Sequence, residues 1–357
     1  MKLAIIADTH AGARNDNPAF NDHFLKFFEL EFIPHLISNN IKTVIHLGDV
    51  FDRRKYINFQ TLNSWRIRVF DRLQELGIEV HVIIGNHDTY WKTTNEVNSV
   101  TELIRGYSNI KIYQEPQTVM FDKTPFLFLP WINSSNQETS LQEIQKTNAR
   151  IVCGHLEIIG FEHFKGHTNT DKGWDRKVYH KFEQVFSGHF HFKSEQDNIL
   201  YVGSPYEMMW NDAGDERGFH VFDTDTRDLT FIKNPHTIFE KMYYDDTGET
   251  LDNLLKADFT PYAGKCIKVL VEKKNDPHLF EQFLEQLHKV NPVDVSVIET
   301  ELIGSIQDGA IDEGKDTLTI LTEYVDSLTL DDNLKIRLIE RLRDLYLDAS
   351  TLERDDV

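Results

Sequence analysis

The segment Val82-Ile83-Ile84-Gly85-Asn86-His87-Asp88 sets an apolar run directly before a glycine and three polar side chains. The run 79–85 is rich in valine and isoleucine, which predicts a strand buried on both faces of a sheet. Gly85 allows a sharp turn where that strand ends. Because sites in open α/β sheets form at the carboxyl ends of strands, the polar residues are predicted to lie at such an edge.

Further segments repeat this arrangement, with polar residues beginning where a predicted strand ends. They are Asp8-Thr9-His10, Gly48-Asp49-Val50-Phe51-Asp52, Gly154-His155 and Gly188-His189-Phe190-His191. Any one of them alone could be a turn or a chance pair, but the whole series predicts one shared constellation. Imidazole with carboxylate and amide oxygen suits borderline divalent ions such as Mn²⁺, Fe²⁺ or Zn²⁺. A carboxylate can bridge two ions, so the segments predict a two-metal site.

The pattern along the chain predicts an α/β fold with appended segments. Strands are predicted at 2–8, 43–49, 79–85, 125–131, 149–154, 184–188, 199–203, 218–224 and 229–233, and helices at 20–38, 59–76 and 95–106. After about residue 235 a strand, a helix and a strand are predicted at 265–273, 277–290 and 293–299. The stretch 301–316 has the composition of an acidic linker, and amphipathic helices are predicted at 317–328 and 331–347.

Composition limits the classes of protein that fit. The 357 residues carry a net charge of −20, of which −2 falls in residues 1–200 and −18 in the rest. This acidic total argues against wrapping nucleic acid by bulk charge, but not against a nuclease whose site supplies its own cations. No apolar run approaches the length of a membrane span. Cys153 and Cys266 are the only cysteines, which is typical of a reducing cytoplasm.

The order D-x-H, G-D-x-x-D, G-N-H-D, G-H and G-H-x-H resembles the calcineurin-like metallophosphoesterase superfamily. Within it the chain is most similar to nuclease subunits of the double-strand-break repair complex, the SbcD type, in the versions of large tailed phages. The motifs span residues 8–191. The resemblance implies a metallophosphoesterase β-sandwich flanked by helices over 1–235, and a small α+β capping domain over 236–300. It also implies a C-terminal helical pair within 317–357 that binds an SMC-type ATPase.

The resemblance further implies a role for each motif residue. The ligands would be Asp8, His10 and His191 for the first ion, Asn86, His155 and His189 for the second, and Asp49 as a bridge to both. The expected metal is Mn²⁺, with two ions per chain. His87 would face the scissile phosphate and help expel the leaving oxygen, and Asp52 would orient His87.

The implied function is a metal-dependent DNA exonuclease and endonuclease that acts with the ATPase in double-strand-break repair and recombination. A phosphatase or small-molecule phosphodiesterase of the same superfamily is the alternative, and a non-catalytic scaffold is a further one. Protein phosphatases of the superfamily usually carry G-N-H-E, whereas this chain has Asp88. The expected location is the cytoplasm, that of an infected bacterium if a phage encodes the chain.

Contacts with DNA and with a second copy are less sharply indicated. Basic residues beside aromatics predict DNA contacts at Arg53, Arg54, Lys55, Trp174 and Arg176, although a solvated charged loop explains each of them equally well. A homodimer is predicted through 59–76 and 95–106. The apolar side chains expected to form its surface are Leu62, Trp65, Val69 and Phe70, with simple coverage of the sheet as the alternative.

Overall fold

The computed structural model describes residues 1–164, 167–170 and 173–299 and, further along, 325, 334–335, 337–339 and 341–342. Met1–Ile298 and Glu299–Val357 form separate compact units. The described residues from 325 onward are helical. The predicted linker 301–316 and most of the predicted helices 317–328 and 331–347 lie outside the described residues, so the helical pair stays a prediction.

The first of two large sheets has a parallel centre. Its strands, in spatial order, are Leu229–Lys233, Gly218–Asp223, Lys2–Ile6, Thr43–His46, Glu79–Ile83 and Ile110–Tyr113. The last four pair in parallel, whereas Gly218–Asp223 runs antiparallel to both of its neighbours. Because parallel strands all end at the same edge, the residues that follow them are brought together there.

The second large sheet repeats this plan. Its strands, in spatial order, are Ser194–Gln196, Ile199–Tyr201, Gln184–Gly188, Ile151–His155, Thr124–Leu129 and Gln117–Phe121. The central strands pair in parallel and the outer ones antiparallel. A short hairpin of Glu162–Phe164 and His167–Thr168 stands apart from both sheets. Leu3, Ile45, Phe128 and Phe186 are among the side chains buried in one core contributed by both sheets, so the sheets form a sandwich.

Helices flank the sandwich. The α-helices are Pro18–Phe27, Ile33–Ser38, Phe59–Trp65, Asp71–Glu75, Ser99–Ile104 and Gln137–Lys146, with π-helical turns at Phe28–Phe32 and Arg66–Phe70 and 3₁₀ turns at Arg176–Tyr179 and Trp210–Asp212. Ala13–Asp16 form a helical turn in which Arg14, Asn15 and Asp16 have left-handed backbone conformations. Asparagines at 17, 58 and 98 accept the first free backbone N–H groups of three helices, which explains where those helices begin.

A third sheet carries its own small core. Its strands are Phe239–Asp245, Cys266–Lys273 and Asp294–Glu299, accompanied by the helices Leu251–Lys256 and Pro277–Lys289 and a 3₁₀ turn at Thr260–Tyr262. Tyr244, Val269, Phe280 and Phe283 are among the side chains buried together between this sheet and its helices. The Asp276 side chain caps the longer helix by accepting from two backbone N–H groups.

The predicted fold class, an α/β fold with sheets flanked by helices, is confirmed. Several elements were not predicted from the sequence: the edge strands Ile110–Tyr113 and Gln117–Phe121, the strand Phe239–Asp245 and the helix Gln137–Lys146. The predicted helix 95–106 is shorter, because Asn98 caps a helix that begins at Ser99. Within the described part of the chain, every helix is too short or too polar to cross a membrane.

The side chains predicted to contact a second copy are buried in the monomer, so that part of the prediction is wrong. Leu62, Trp65, Val69 and Phe70 are each at most 7% exposed and belong to the core beneath the helices. Trp65 also donates a 3.0 Å hydrogen bond from Nε1 to the Asn21 side chain. These residues cover the monomer's own sheet, which was the alternative interpretation. Substituting Trp65 by Asp would therefore disrupt the core rather than separate two copies.

Candidate functional site

The predicted site residues converge at the carboxyl ends of strands from both large sheets. Three follow strands of the first sheet: Asp8 after Lys2–Ile6, Asp49 after Thr43–His46, and Asn86 after Glu79–Ile83. His155 ends one strand of the second sheet, and His189 follows another. A hydrogen bond also joins the two sheets here, since the His189 N–H donates to the Asp8 carboxylate at 3.0 Å.

One group of ligand atoms is formed by Asp8, His10 and His191. Their carboxylate oxygen and ring nitrogens all lie within 4.8 Å of one another. The Nε2 atoms of His10 and His191 are 3.0 Å apart. The other ring nitrogen of His10, Nδ1, lies 3.2 Å from the Asp52 carboxylate. Such a carboxylate fixes the ring and leaves Nε2 available for a metal.

A second group is formed by Asp49, His155 and His189, again with ligand atoms within 4.8 Å of one another. The Asn86 side-chain oxygen joins it, at 2.8 Å from His155 Nε2 and 2.9 Å from His189 Nδ1. His155 Nδ1 donates to the Leu47 carbonyl at 2.8 Å, so its Nε2 is the atom turned to the group. The family resemblance implied Asn86, His155 and His189 as ligands of the second ion, with Asp49 as the bridge.

Asp49 lies between the two groups. Its Oδ2 is 3.3 Å from His155 Nε2 and 3.7 Å from His10 Nε2, and these histidines belong to different groups. Its Oδ1 accepts the backbone N–H of His87 at 2.7 Å. The side chain is almost completely buried. Asp49 is thus the carboxylate within reach of ligands from both groups.

His87 and Asp52 contact each other through the backbone of Asp52. His87 Nδ1 donates to the backbone carbonyl of Asp52 at 2.7 Å, whereas the Asp52 carboxylate faces His10. The His87 ring meets the His10 ring edge to face, with centroids 4.8 Å apart. Asp52 therefore orients His87 through its backbone, and its side chain holds a predicted metal ligand.

The buried histidines His10 and His155 are positively charged, because neighbouring carboxylates raise their pKa values. Burial by itself lowers the pKa of His10, but Asp52, Asp49 and Asp8 outweigh it and raise the pKa to about 9. Burial likewise opposes protonation of His155, yet Asp49 and Asp8 raise its pKa to about 9. Burial raises the pKa of Asp49, but the neighbouring histidines bring it well below its usual value.

This donor set fits divalent metal ions. In the protein without metal, protons on His10 and His155 supply the positive charge that the surrounding carboxylates require. His155 has acceptors at both ring nitrogens, the Leu47 carbonyl and the Asn86 side chain, which only a doubly protonated ring satisfies. A cation bound among these ligands would supply the same positive charge. Nitrogen and oxygen donors without thiolate suit Mn²⁺, Fe²⁺ or Zn²⁺.

Backbone conformation at the site is strained. Asp8, His10, Asp49 and His189 have φ values of 52°, 42°, 53° and 91°, in the left-handed region that non-glycine residues rarely adopt. Such residues cost about 1–3 kcal/mol each and gather at functional sites. Gly85 makes the close approach possible, because a Cβ there would overlap the Asp49 carboxylate and backbone nitrogen.

Asp88 has a structural role that the sequence did not indicate. Its carboxylate is fully buried and accepts the backbone N–H groups of Asp49 at 2.8 Å, Gly85 at 2.9 Å, Val50 at 3.0 Å and Phe51 at 3.2 Å. It thereby joins the loops that follow two neighbouring strands. The G-N-H-D motif contains the residue, but only the folded chain brings these donors around it.

Arg217 and Trp131 were also missed. Arg217 is 4% exposed, and its Nη1 donates to the His191 carbonyl at 2.6 Å, while Nη2 pairs with Asp212 at 2.9 Å. It therefore fixes the backbone of a predicted ligand. The Trp131 ring lies 5.1 Å from the His189 ring. Neither residue belongs to one of the motifs. Both lie far along the chain from the ligand that they contact, so the sequence did not indicate these contacts.

The predicted DNA contacts fall in two places. Beside the site, Arg53 pairs with Asp16 at 3.1 Å and lies 4.8 Å from the Tyr56 ring, and Arg54 and Lys55 line the adjoining groove. Trp174 and Arg176 belong to the second sheet's loops. Trp174 packs against that sheet's outer core, and Arg176 lies 3.5 Å from Asp197. The first cluster lies beside His87, because it follows Asp52, whose carbonyl accepts from His87. The Trp174 N–H donates to the Glu157 carbonyl at 2.8 Å, in the segment that follows His155.

Comparison with known proteins agrees with the motifs. Residues 1–193 match the calcineurin-like phosphoesterase family. The chain is 31% identical to exonuclease subunit 1 of Enterobacteria phage T4, over 98% of this chain and 100% of that protein. It is 31% identical to the DNA double-strand break repair protein Mre11 of Sulfurisphaera tokodaii, over 32% of this chain and 28% of that one. A solved archaeal phosphodiesterase is 15% identical, with a TM-score of 0.35, over 66% of this chain and 100% of that one.

Proposed function

The chain belongs to the calcineurin-like phosphoesterase family, and on that premise we propose that it is a metal-dependent DNA nuclease. The observation that carries the proposal is the position of Asp49 between two buried groups of nitrogen and oxygen ligands. Relatives named as an exonuclease subunit and as a double-strand break repair protein support DNA as the substrate. The proposed reaction is hydrolysis of phosphodiester bonds.

In the proposed mechanism two divalent ions, with Mn²⁺ as the proposed metal, are held at the two groups. Asp8, His10 and His191 would hold one ion, Asn86, His155 and His189 would hold the other, and Asp49 would serve both. Bound there, the ions supply Lewis-acid stabilisation of the phosphoryl group and lower the pKa of water. Asp52 keeps His10 in the tautomer that presents Nε2, and the Leu47 carbonyl does the same for His155.

His87 is the proposed proton donor to the leaving oxygen. Its Nδ1 is occupied by the Asp52 carbonyl, so Nε2 is the atom that can hand over a proton. Burial lowers the pKa of His87, with Asp49 opposing that effect. An anionic phosphodiester beside the ring favours the protonated form, which is the form that acts as an acid.

Partners are proposed from the relatives and from the layout of the chain. The T4 relative is named as a subunit, which supports a complex; the proposed partner is an SMC-type ATPase bound by the C-terminal segment 317–357. A homodimer through 59–76 and 95–106 also stays a proposal. The exposed apolar side chains on these helices are Phe59 and Ile67, which are 86% and 55% exposed. The proposed place of action is the cytoplasm.

The proposed domain division is a nuclease domain over 1–235 and a capping domain over 236–300. The third sheet and its separate core support it. The proposed role of the capping domain is to help hold DNA over the site.

A direct assay separates the nuclease from a phosphatase. Purified protein is given linear duplex DNA, single-stranded DNA and an aryl phosphate monoester, each with Mn²⁺ and with a chelator. The proposal expects metal-dependent cleavage of DNA that exceeds hydrolysis of the monoester. Rapid hydrolysis of the monoester without any DNA cleavage would favour the phosphatase alternative, and no activity on any substrate would favour a scaffold.

A further inference from the structure

The loop 89–98, which follows the G-N-H-D motif, is held firmly in place. The Tyr90 N–H donates to the Val97 carbonyl at 2.9 Å, which closes the loop on itself. The side-chain amide of the buried Asn95 donates to the backbone carbonyls of Gln114 and Trp131 at 3.1 and 2.9 Å. A loop anchored in this way presents its outer side chains in a fixed position.

Two aromatic side chains stand out of this loop into solvent. Tyr90 is 38% exposed and Trp91 is 49% exposed, and their rings meet edge to face with centroids 4.7 Å apart. Exposed apolar area costs about 25 cal/mol per Å². Because this exposure is unfavourable, a rigid loop with two aromatic rings in solvent is typical of a surface that binds a planar group.

The surroundings of the pair are positively charged. Lys55 Nζ lies 5.8 Å from the Tyr90 ring centre, and the exposed Lys92 follows Trp91 in the chain. Tyr90 also lines a 370 Å³ groove together with Arg54 and Lys55. The Nη1 atom of Arg54 is buried without a hydrogen-bond partner. Between them, the loop and the groove lining carry the cations Arg53, Arg54, Lys55 and Lys92 against the acids Glu96 and Glu102.

The pair also lies close to the candidate catalytic histidine. Trp91 follows His87 by four residues, which places it within about 14 Å along the chain. Lys55 follows Asp52, whose carbonyl accepts from His87. The aromatic pair and its cations thus border the place where the scissile phosphate is proposed to sit. A nucleotide next to that phosphate is within their reach.

We propose that Tyr90 and Trp91 form a stacking platform for an unpaired nucleobase next to the scissile phosphate, with Lys55 and Lys92 meeting the flanking phosphates. The proposal rests on the proposed nuclease function. Aromatic rings among cations are the arrangement that binds single strands, because every base offers a flat face whatever its sequence. The cations favour an anionic strand over an apolar protein partner. The platform would select DNA whose strands are already separated.

The test compares steady-state hydrolysis of a single-stranded oligothymidylate and of bis(p-nitrophenyl) phosphate, both with Mn²⁺. Stacking on an aromatic ring contributes about 1–3 kcal/mol per base, which corresponds to about 5- to 150-fold. Trp91→Ala should therefore raise KM for the oligonucleotide. The factor of this increase should be at least five times the factor by which kcat/KM for the small diester changes. Trp91→Phe should restore most of the loss. Met120→Ala, which removes an apolar side chain that is 56% exposed on the edge strand Gln117–Phe121, is the matched control and should change neither.

Each other outcome overturns the platform. Equal losses on both substrates would mean that Trp91 supports the site's structure rather than a base. An unchanged KM for the oligonucleotide would mean that the pair binds another partner, such as a second copy. This holds whether or not sedimentation shows a change of oligomeric state. If the parent protein hydrolyses the small diester but does not cleave the oligonucleotide, the proposed nuclease function itself fails.

Discussion

At the residue scale, His10 and His155 decide how the site exchanges protons for metal. Each is buried, and each has a pKa raised to about 9 because carboxylates outweigh the effect of burial. Both histidines carry their protons at neutral pH when no metal is bound. A metal ion binds only the neutral ring, so the two equilibria compete.

Mn²⁺ binding near pH 7 should therefore release protons, and the apparent affinity should rise between about pH 7 and pH 9 as these rings lose their protons unaided. Calorimetric titration in two buffers of different ionisation enthalpy measures the release directly. Heats that are independent of the buffer would contradict the assignment of His10 and His155 as protonated ligands.

His87→Ala should lower kcat for DNA cleavage by about 10²–10⁴-fold, the usual contribution of a general acid. Metal content should stay at the parental level, because the backbone N–H of residue 87, which donates to Asp49, remains. Elemental analysis of the purified variant provides the check. Activity within a few-fold of the parent would remove His87 from the mechanism.

The sequence predicted the residues of the site better than their contacts. The residues that come together could be singled out because each sits in a short motif at a predicted strand end, and the resemblance implied how they would be grouped. Asp52 was expected to orient His87, but the sequence did not indicate that the backbone carbonyl would contact His87 while the carboxylate faces His10. Arg217 could not be predicted, since only tertiary structure brings its guanidinium to the His191 carbonyl.

At the scale of elements, the site depends on two loops that one carboxylate joins. Asp88 accepts N–H groups from the loop after Thr43–His46 and from Gly85 after Glu79–Ile83. Those loops carry Asp49 and Asn86. Their relative position is therefore set by a side chain that touches neither proposed ion.

Asp88→Asn should lower the free energy of unfolding by about 2–4 kcal/mol, because an amide N–H₂ would face backbone donors and leave buried groups unpaired. Urea denaturation measures the loss. Asp22→Asn is the matched control: Asp22 is an exposed carboxylate paired with Arg68, so its change should stay within about 0.5 kcal/mol. Equal stability of the Asp88 variant and the control would contradict this role.

Elements were predicted well where an apolar pattern is continuous and poorly at edges. The central strands Lys2–Ile6, Thr43–His46 and Glu79–Ile83 are almost fully buried and read as apolar runs. The edge strand Gln117–Phe121 is mostly exposed, so its sequence carries no such run. The buried side chains of the helix Phe59–Trp65 were misassigned to a second copy, because periodicity marks an apolar face without telling what covers it.

At the scale of the whole molecule, the proposed chemistry and the proposed partner binding lie in separate parts of the chain. Every proposed ligand precedes residue 192 in the unit Met1–Ile298, whereas the segment proposed to bind the ATPase lies in Glu299–Val357. Loss of one function should thus leave the other intact.

Deletion of 317–357 should abolish association with the ATPase and ATP-dependent processing of duplex DNA. Mn²⁺-dependent cleavage of single-stranded substrates should persist, since no proposed ligand is removed. Co-purification with the ATPase and cleavage assays on both substrates test this together. A truncated chain that binds the ATPase with unchanged affinity would refute the assignment of the tail.

The account depends most on Asp49, whose Oδ2 lies 3.3 Å from His155 Nε2 and 3.7 Å from His10 Nε2. Removing a carboxylate shared by two ions takes a ligand from each and also the charge that offsets their mutual repulsion. The decisive measurement is a calorimetric Mn²⁺ titration of the parent protein and of Asp49→Ala, with folding of both verified by circular dichroism. Two ions bound by the parent and none bound tightly by the variant is the expected result. One tightly held ion in the variant would contradict a shared, two-metal site.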